Sequence, residues 1–97
     1  MEPIRELIAV DLEMTGLQVK TDRILEIGAV RLVDGQLRDT FQTFVNPHRR
    51  IDARITELTG IRPEMVENAP EAEEALQKFL EFAGEAPFLG HNVIVGQ

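Results

Sequence analysis

The chain has 97 residues, room for one small domain, with 43% hydrophobic and 28% charged side chains, which excludes a disordered or low-complexity chain. It has no cysteine, so disulfide frameworks and thiolate metal sites are excluded. Its net charge of −7 argues against a general basic nucleic-acid surface, although a bound divalent cation would invert the local electrostatics of an acidic site. The segment MEPIRELIAV is too short and too charged for a signal peptide, and no window approaches the roughly 18 apolar residues of a membrane span. A cytoplasmic protein is expected.

Residues 4–12 (IRELIAVDL) read as a strand, with Leu7 to Val10 continuously apolar, as in a strand buried on both faces. The run closes on Asp11 and Glu13, in VDLEMTGL. Residues two apart on a strand share a face and are separated by about 6.6–6.8 Å of rise, so both carboxylates can meet one site while Leu12 points into the opposite layer. Two hard oxygen ligands with no His or Cys nearby suit Mg2+ or Mn2+. The bland alternative is a pair of solvated acids at a strand end, and the bare pattern D-x-E is too short to decide. Embedding in an apolar strand ahead of Thr15-Gly16 makes it more demanding, because carboxylates there need compensation.

Residues 24–33 (ILEIGAVRLV) form a second strand, ended by the hairpin signal Asp34-Gly35. Residues 37–45 (LRDTFQTFV) form a third, with Leu37, Phe41 and Val45 as its apolar positions and Asn46-Pro47 as its end. Asp52 is placed to N-cap a short helix through Leu58, with Gly60 as its stop. Pro63 opens another short helix, PEMVEN, and Pro70 a longer one that Gly84 ends. On the longer helix Ala72, Leu76, Phe79, Leu80 and Ala83 make an apolar stripe opposite a solvated acidic face. Residues 86–90 (APFLG) return as a fourth strand. A mixed α/β sheet follows: three antiparallel strands, helices, then a strand parallel to the first, all in one domain over residues 1–97. Glu26, mid-strand, is expected to pair with Arg23 or Arg31. Arg49, Arg50 and Arg54 form a basic cluster that suits either solvent or a phosphate backbone, and His48 reads as a surface residue.

VDLEMTGL, followed by DRILEIGAV over 22–30, FVNP over 44–47, LTGI with Glu64-Met65-Val66, and Gly90-His91-Asn92, resembles the DnaQ-like 3′–5′ exonucleases of the DEDD superfamily. The resemblance spans nearly the whole chain. It lies nearest the proofreading exonuclease domains of bacterial replicative polymerases such as DNA polymerase III, and similar domains fused to helicases. The wording DLEMTGL is also typical of oligoribonucleases.

The resemblance implies a ribonuclease H-like fold and two-metal hydrolysis of phosphodiester bonds at a single-stranded DNA 3′ end, with RNA possible. Asp11 and Glu13 would hold Mg2+ or Mn2+. The main chain at Met14 and Thr15 would border the terminal nucleotide, and His91 and Asn92 match the second motif. A polymerase or helicase partner follows by the same analogy. The family's second motif places Phe-Asp where this chain has Val95 and Gly96, and glycine offers no ligand. Gln97 follows one position late, about 100° around a helix. The third motif, with the general-base His and the last Asp, has no counterpart in the sequence. The expectation is therefore an incomplete exonuclease domain lacking its last strand and helices, as a frameshift or truncation would produce, with weak or no activity. The rival expectations are an oligoribonuclease-type or RNA-directed exonuclease, and a non-catalytic remnant that acts as an interaction module for a polymerase or helicase.

Overall fold

A computed structural model of the chain describes residues 5–16 and 21–90. Its elements run β1 (Glu6–Met14), β2 (Ile24–Val33), β3 (Gln36–Phe44), α1 (Ala53–Thr59), α2 (Pro63–Val66), α3 (Ala72–Ala83) and β4 (Phe88–Gly90). The strands form one sheet in the order β3-β2-β1-β4. β2 pairs antiparallel with both β1 and β3, and β4 lies parallel to β1, as the sequence predicts.

Local chemistry sets the boundaries. Asp34 and Gly35 both take positive φ, 52° and 79°, the geometry of a two-residue hairpin turn whose twist matches the flanking strands. Asp52 caps α1 by accepting from the Ile55 amide at 3.0 Å. Gly60 ends it in the left-handed region at φ 79°, with its amide on the Thr56 carbonyl.

Helix α3 covers one face of the sheet. Ile8 and Val10 of β1, Ile27 and Ala29 of β2, and Val45 bury against Ala75, Phe79 and Ala83, with Leu12 and Phe41 packed beside them. Phe79 meets Phe41 and Phe88 edge-on, with ring centroids 6.1 and 5.5 Å away. Arg31 ties the layers together. It bonds Glu6 on β1 at 2.7 Å, stacks 4.6 Å over the Phe82 ring, and donates to the Phe82 carbonyl.

A second cluster, Leu25 with Ile51, Ile55, Ile61 and Val66, anchors α1 and α2, with Phe44 packed against it. Leu25 reaches it through a register irregularity. Glu13 stands opposite Glu26 but Met14 stands opposite Ile24, so Leu25 has no partner on β1. The extra residue reverses the facing, and Ile24 packs with the first cluster while Leu25 turns to the second.

Several expectations need correction. Strand β1 continues to Met14, and only its even face is buried. Asp11 is exposed, and Leu7 and Ala9 are half-buried. The α3 stripe is rotated: Leu76 and Leu80 are 42% and 55% exposed, and the buried positions are Ala75, Phe79 and Ala83. Ala75, Phe79 and Ala83 recur every four residues along one row of the helix, and that row packs on Ile8, Val10, Ile27 and Ala29 of the sheet. Leu37 is 64% exposed rather than core. Leu32 pairs with Leu37 while Arg31 pairs with Asp39, so Arg38 is an extra residue that re-aims the start of β3.

Phe79→Ala is expected to destabilise the chain by about 3–5 kcal/mol, a large part of the roughly 5–15 kcal/mol of a typical small domain. Leu80→Ala is expected to stay within about 0.5 kcal/mol of wild type. Urea denaturation of both variants checks the rotated face.

Candidate active site

The two-residue period of β1 sends Leu12 into the α3-facing core and leaves Asp11 and Glu13 on the other face. Asp11 is exposed and stands opposite Gly28 on β2; Glu13 is half-buried and stands opposite Glu26. Glu26 accepts a bond from Gln42 Nε2 on β3 at 2.8 Å. Neither Arg23 nor Arg31 is its partner, because Arg31 turns to the opposite face to meet Glu6 and Asp39.

Three acids therefore converge on the end of this face. Burial, then the Glu26 charge, then the Asp11 charge raise the Glu13 pKa above its ordinary 4.5. Glu13 Oε2 is buried and has no hydrogen-bond partner among the described residues. An orphaned carboxylate oxygen beside like charges is the environment a divalent cation relieves, and the hard oxygens of Asp11 and Glu13 fit Mg2+ or Mn2+. They fit as a pair. Among the described residues no group of three or more His, Cys, Asp or Glu side chains is arranged to hold a metal.

Beyond the pair, Met14 turns its side chain inward and is buried, so only its main chain is available to a ligand. The Thr15 hydroxyl donates to Asp22 Oδ1 at 2.8 Å and accepts from the Arg23 amide at 2.9 Å. The Thr15 amide in turn donates to the Arg23 carbonyl at 2.8 Å. Gly16 lies against the same Asp22 carboxylate, where a Cβ would sit 2.6 Å from an oxygen. The turn after the acid pair is thus held on Asp22, a residue the sequence does not single out. Seven positions and no periodic pattern separate Thr15 from Asp22. His91, Asn92, Val95, Gly96 and Gln97 lie outside the described residues.

A mixed sheet with parallel β1 and β4, flanked by helices and carrying paired carboxylates at the end of a central strand, has the ribonuclease H-like α/β fold. The RNase_T family, described as exonuclease, matches residues 8–96, and the chain belongs to that family. It is 47% identical over 87 residues to the PolC-type DNA polymerase III of Clostridium perfringens. It is 51% identical over 87 residues to that of Caldanaerobacter subterraneus subsp. tengcongensis. In both cases the match covers 90% of this chain and 6% of the relative, so the chain spans a small fraction of these polymerases. The solved structure of Exonuclease X in complex with 5′ overhanging duplex DNA matches with a TM-score of 0.73 and 27% identity, over 88% of this chain and 48% of that one. A full-length 3′-exonuclease matches in fold, with a TM-score of 0.76 at 23% identity over 84% of this chain and 40% of that one.

Because the folded pKa of Glu13 is raised, the native state binds its proton more tightly than the unfolded chain. Stability is thus lowered as pH rises from the unfolded value through the folded one, and the penalty is absent below both. Glu13→Gln is expected to melt above wild type near pH 7, with the gap closing toward about pH 4. Thermal melts across that range check the sign. Gly16→Ala is expected to cost about 1–3 kcal/mol through overpacking on Asp22, read by denaturant unfolding.

Proposed function

We propose that the chain is a single exonuclease-type domain whose Asp11 and Glu13 are a metal-holding pair for 3′–5′ hydrolysis of phosphodiester bonds, with little or no nuclease activity as it stands. The observation that carries this reading is the buried Glu13 Oε2, unpartnered among the described residues, beside exposed Asp11 on one face of β1. When bound, divalent cations would supply an activated water and stabilise the leaving 3′ oxygen. The chain's own share is to hold two carboxylates at fixed strand spacing, with Thr15 and Gly16 turning the backbone away beside them. Such a site lets a chain of net charge −7 act on a polyanion.

The polymerase relatives and the DNA-bound Exonuclease X support DNA as substrate and a DNA polymerase as context. Weak activity is inferred from the ligand set. Among the described residues no group of three or more His, Cys, Asp or Glu is arranged to hold a metal, and Gly96 stands where the family motif has an acid. The short ligand set also favours a second reading, a non-catalytic module that binds a polymerase.

Isothermal titration with Mn2+ is expected to show weak binding that Asp11→Ala lowers by about tenfold or more. A 3′-labelled single strand with Mn2+ is expected to be cleaved slowly or not at all. Mn2+ binding untouched by Asp11→Ala would refute the metal pair. Rapid, Asp11-dependent cleavage would refute the inactivity.

A further inference from the structure

We propose that the cleft between residues 46–51 and helices α1 and α2 binds the phosphodiester backbone of a single nucleic-acid strand, an assignment that rests on reading the chain as acting on nucleic acid. The cleft measures about 750 Å³ and is lined by Arg49, Arg50 and Arg62, with Thr56 and Asn46 as further polar groups. Arg49, Arg50, Arg54 and Arg62 account for four of the chain's ten basic residues within fourteen positions. In a protein of net charge −7 this concentration is the local exception. Arginine suits it, because its planar fork matches phosphate oxygens in pairs.

The cleft carries its own acids, Glu64 and Glu67. Glu64 pairs with Arg62 at 3.1 Å, and both side chains are exposed, so the pair is weak and readily exchanged for a phosphate. Arg50 makes no ion pair among the described residues. The wall is built in advance. Asn46 accepts the His48 amide at 2.8 Å, donates its side chain to the Glu67 carbonyl at 3.1 Å, and donates its amide to the Pro70 carbonyl at 2.9 Å. A fixed wall keeps the ordering cost of binding low.

The cleft is also tied to the acid pair. Arg49 Nη1 lies 3.6 Å from Asp22 Oδ1, the atom that accepts the Thr15 hydroxyl bond. One carboxylate thus bridges the cleft and the turn that follows Asp11 and Glu13. Across Asn46 and Pro47 lies a smaller cleft of about 370 Å³ in which Glu71 and Glu73 stand beside Arg23 and His48, so the basic lining belongs to the larger cleft. A strand whose end lies at the acid pair would pass its next phosphates along Arg49 and Arg50.

The test is fluorescence anisotropy of the 97-residue chain with a 5′-labelled oligothymidylate of about 12 nucleotides, in EDTA, over a range of NaCl. Wild type is expected to bind with a salt-dependent affinity. Arg49→Ala/Arg50→Ala is expected to bind about tenfold more weakly, with the salt slope reduced by about 1.4, or about 0.7 for each lost phosphate contact. Arg49→Lys/Arg50→Lys should keep most of the slope. The single variant Arg50→Ala, which breaks no ion pair, should lose about half the effect and guards against misfolding of the double variant.

No wild-type binding at low salt would overturn the proposal. So would an alanine variant within about twofold of wild type at unchanged slope. Displacement by inorganic phosphate at matched phosphate concentration would also overturn it, by showing an isolated anion site. The exonuclease reading is tested separately, by the gain in affinity on adding Mn2+ and its loss in Asp11→Ala. If that gain is missing while the arginine effect holds, the cleft assignment stands and the metal pair falls.

Discussion

Strand β1 lies between β2 and β4, and a strand so placed offers its side chains only two directions. Ile8, Val10 and Leu12 take the direction of α3, which leaves the other to Asp11 and Glu13. Core and site are therefore one constraint seen from two faces. A slip of one residue would carry both carboxylates under the helix and bring Val10 and Leu12 out. Burying an aliphatic side chain contributes about 1.5–3 kcal/mol, and burying an uncompensated carboxylate costs more than that. The same packing that stabilises the fold thus selects the register that presents the acids.

The acid pair works against the fold. Glu13 is partly withdrawn from water between two like charges, Glu26 and Asp11, and has a carboxylate oxygen without a partner among the described residues. Compensation nearby is sparse. Gln42 satisfies Glu26, and Asp22 holds the turn through Thr15, but neither neutralises Glu13. Local electrostatic cost at one end of an otherwise consistent sheet is the pattern expected where a binding site has been set into a scaffold.

What the sequence discloses and what it hides divide along the range of the interactions involved. The Asp34-Gly35 turn, the Asp52 cap and the Gly60 stop are settled by bonds within a few residues, and all three are legible. The shared facing of Asp11 and Glu13 follows from strand period alone. The α3 face is not legible, because five apolar residues mark a stripe wider than the buried one, and only the sheet selects Ala75, Phe79 and Ala83. The extra residues at Leu25 and Arg38 are equally hidden, since pairing across strands decides where they fall. That register puts Glu26 beside Glu13 rather than beside an arginine. Asp22 escapes for the same reason, its role existing only once the turn at Thr15 is folded back on it. Motif resemblance supplies the family, which composition and period alone do not reach.

Gly28 stands opposite Asp11, and a Cβ built on it meets none of the described residues within 4 Å. The backbone there needs no glycine for its own conformation, and a glycine in a strand interior is the less stable choice. The scaffold thus gains nothing from leaving that position bare. The open space lies on the face that carries the exposed Asp11 carboxylate. A methyl group added there would trespass only on what approaches from outside, so position 28 separates the demands of the visitor from those of the host.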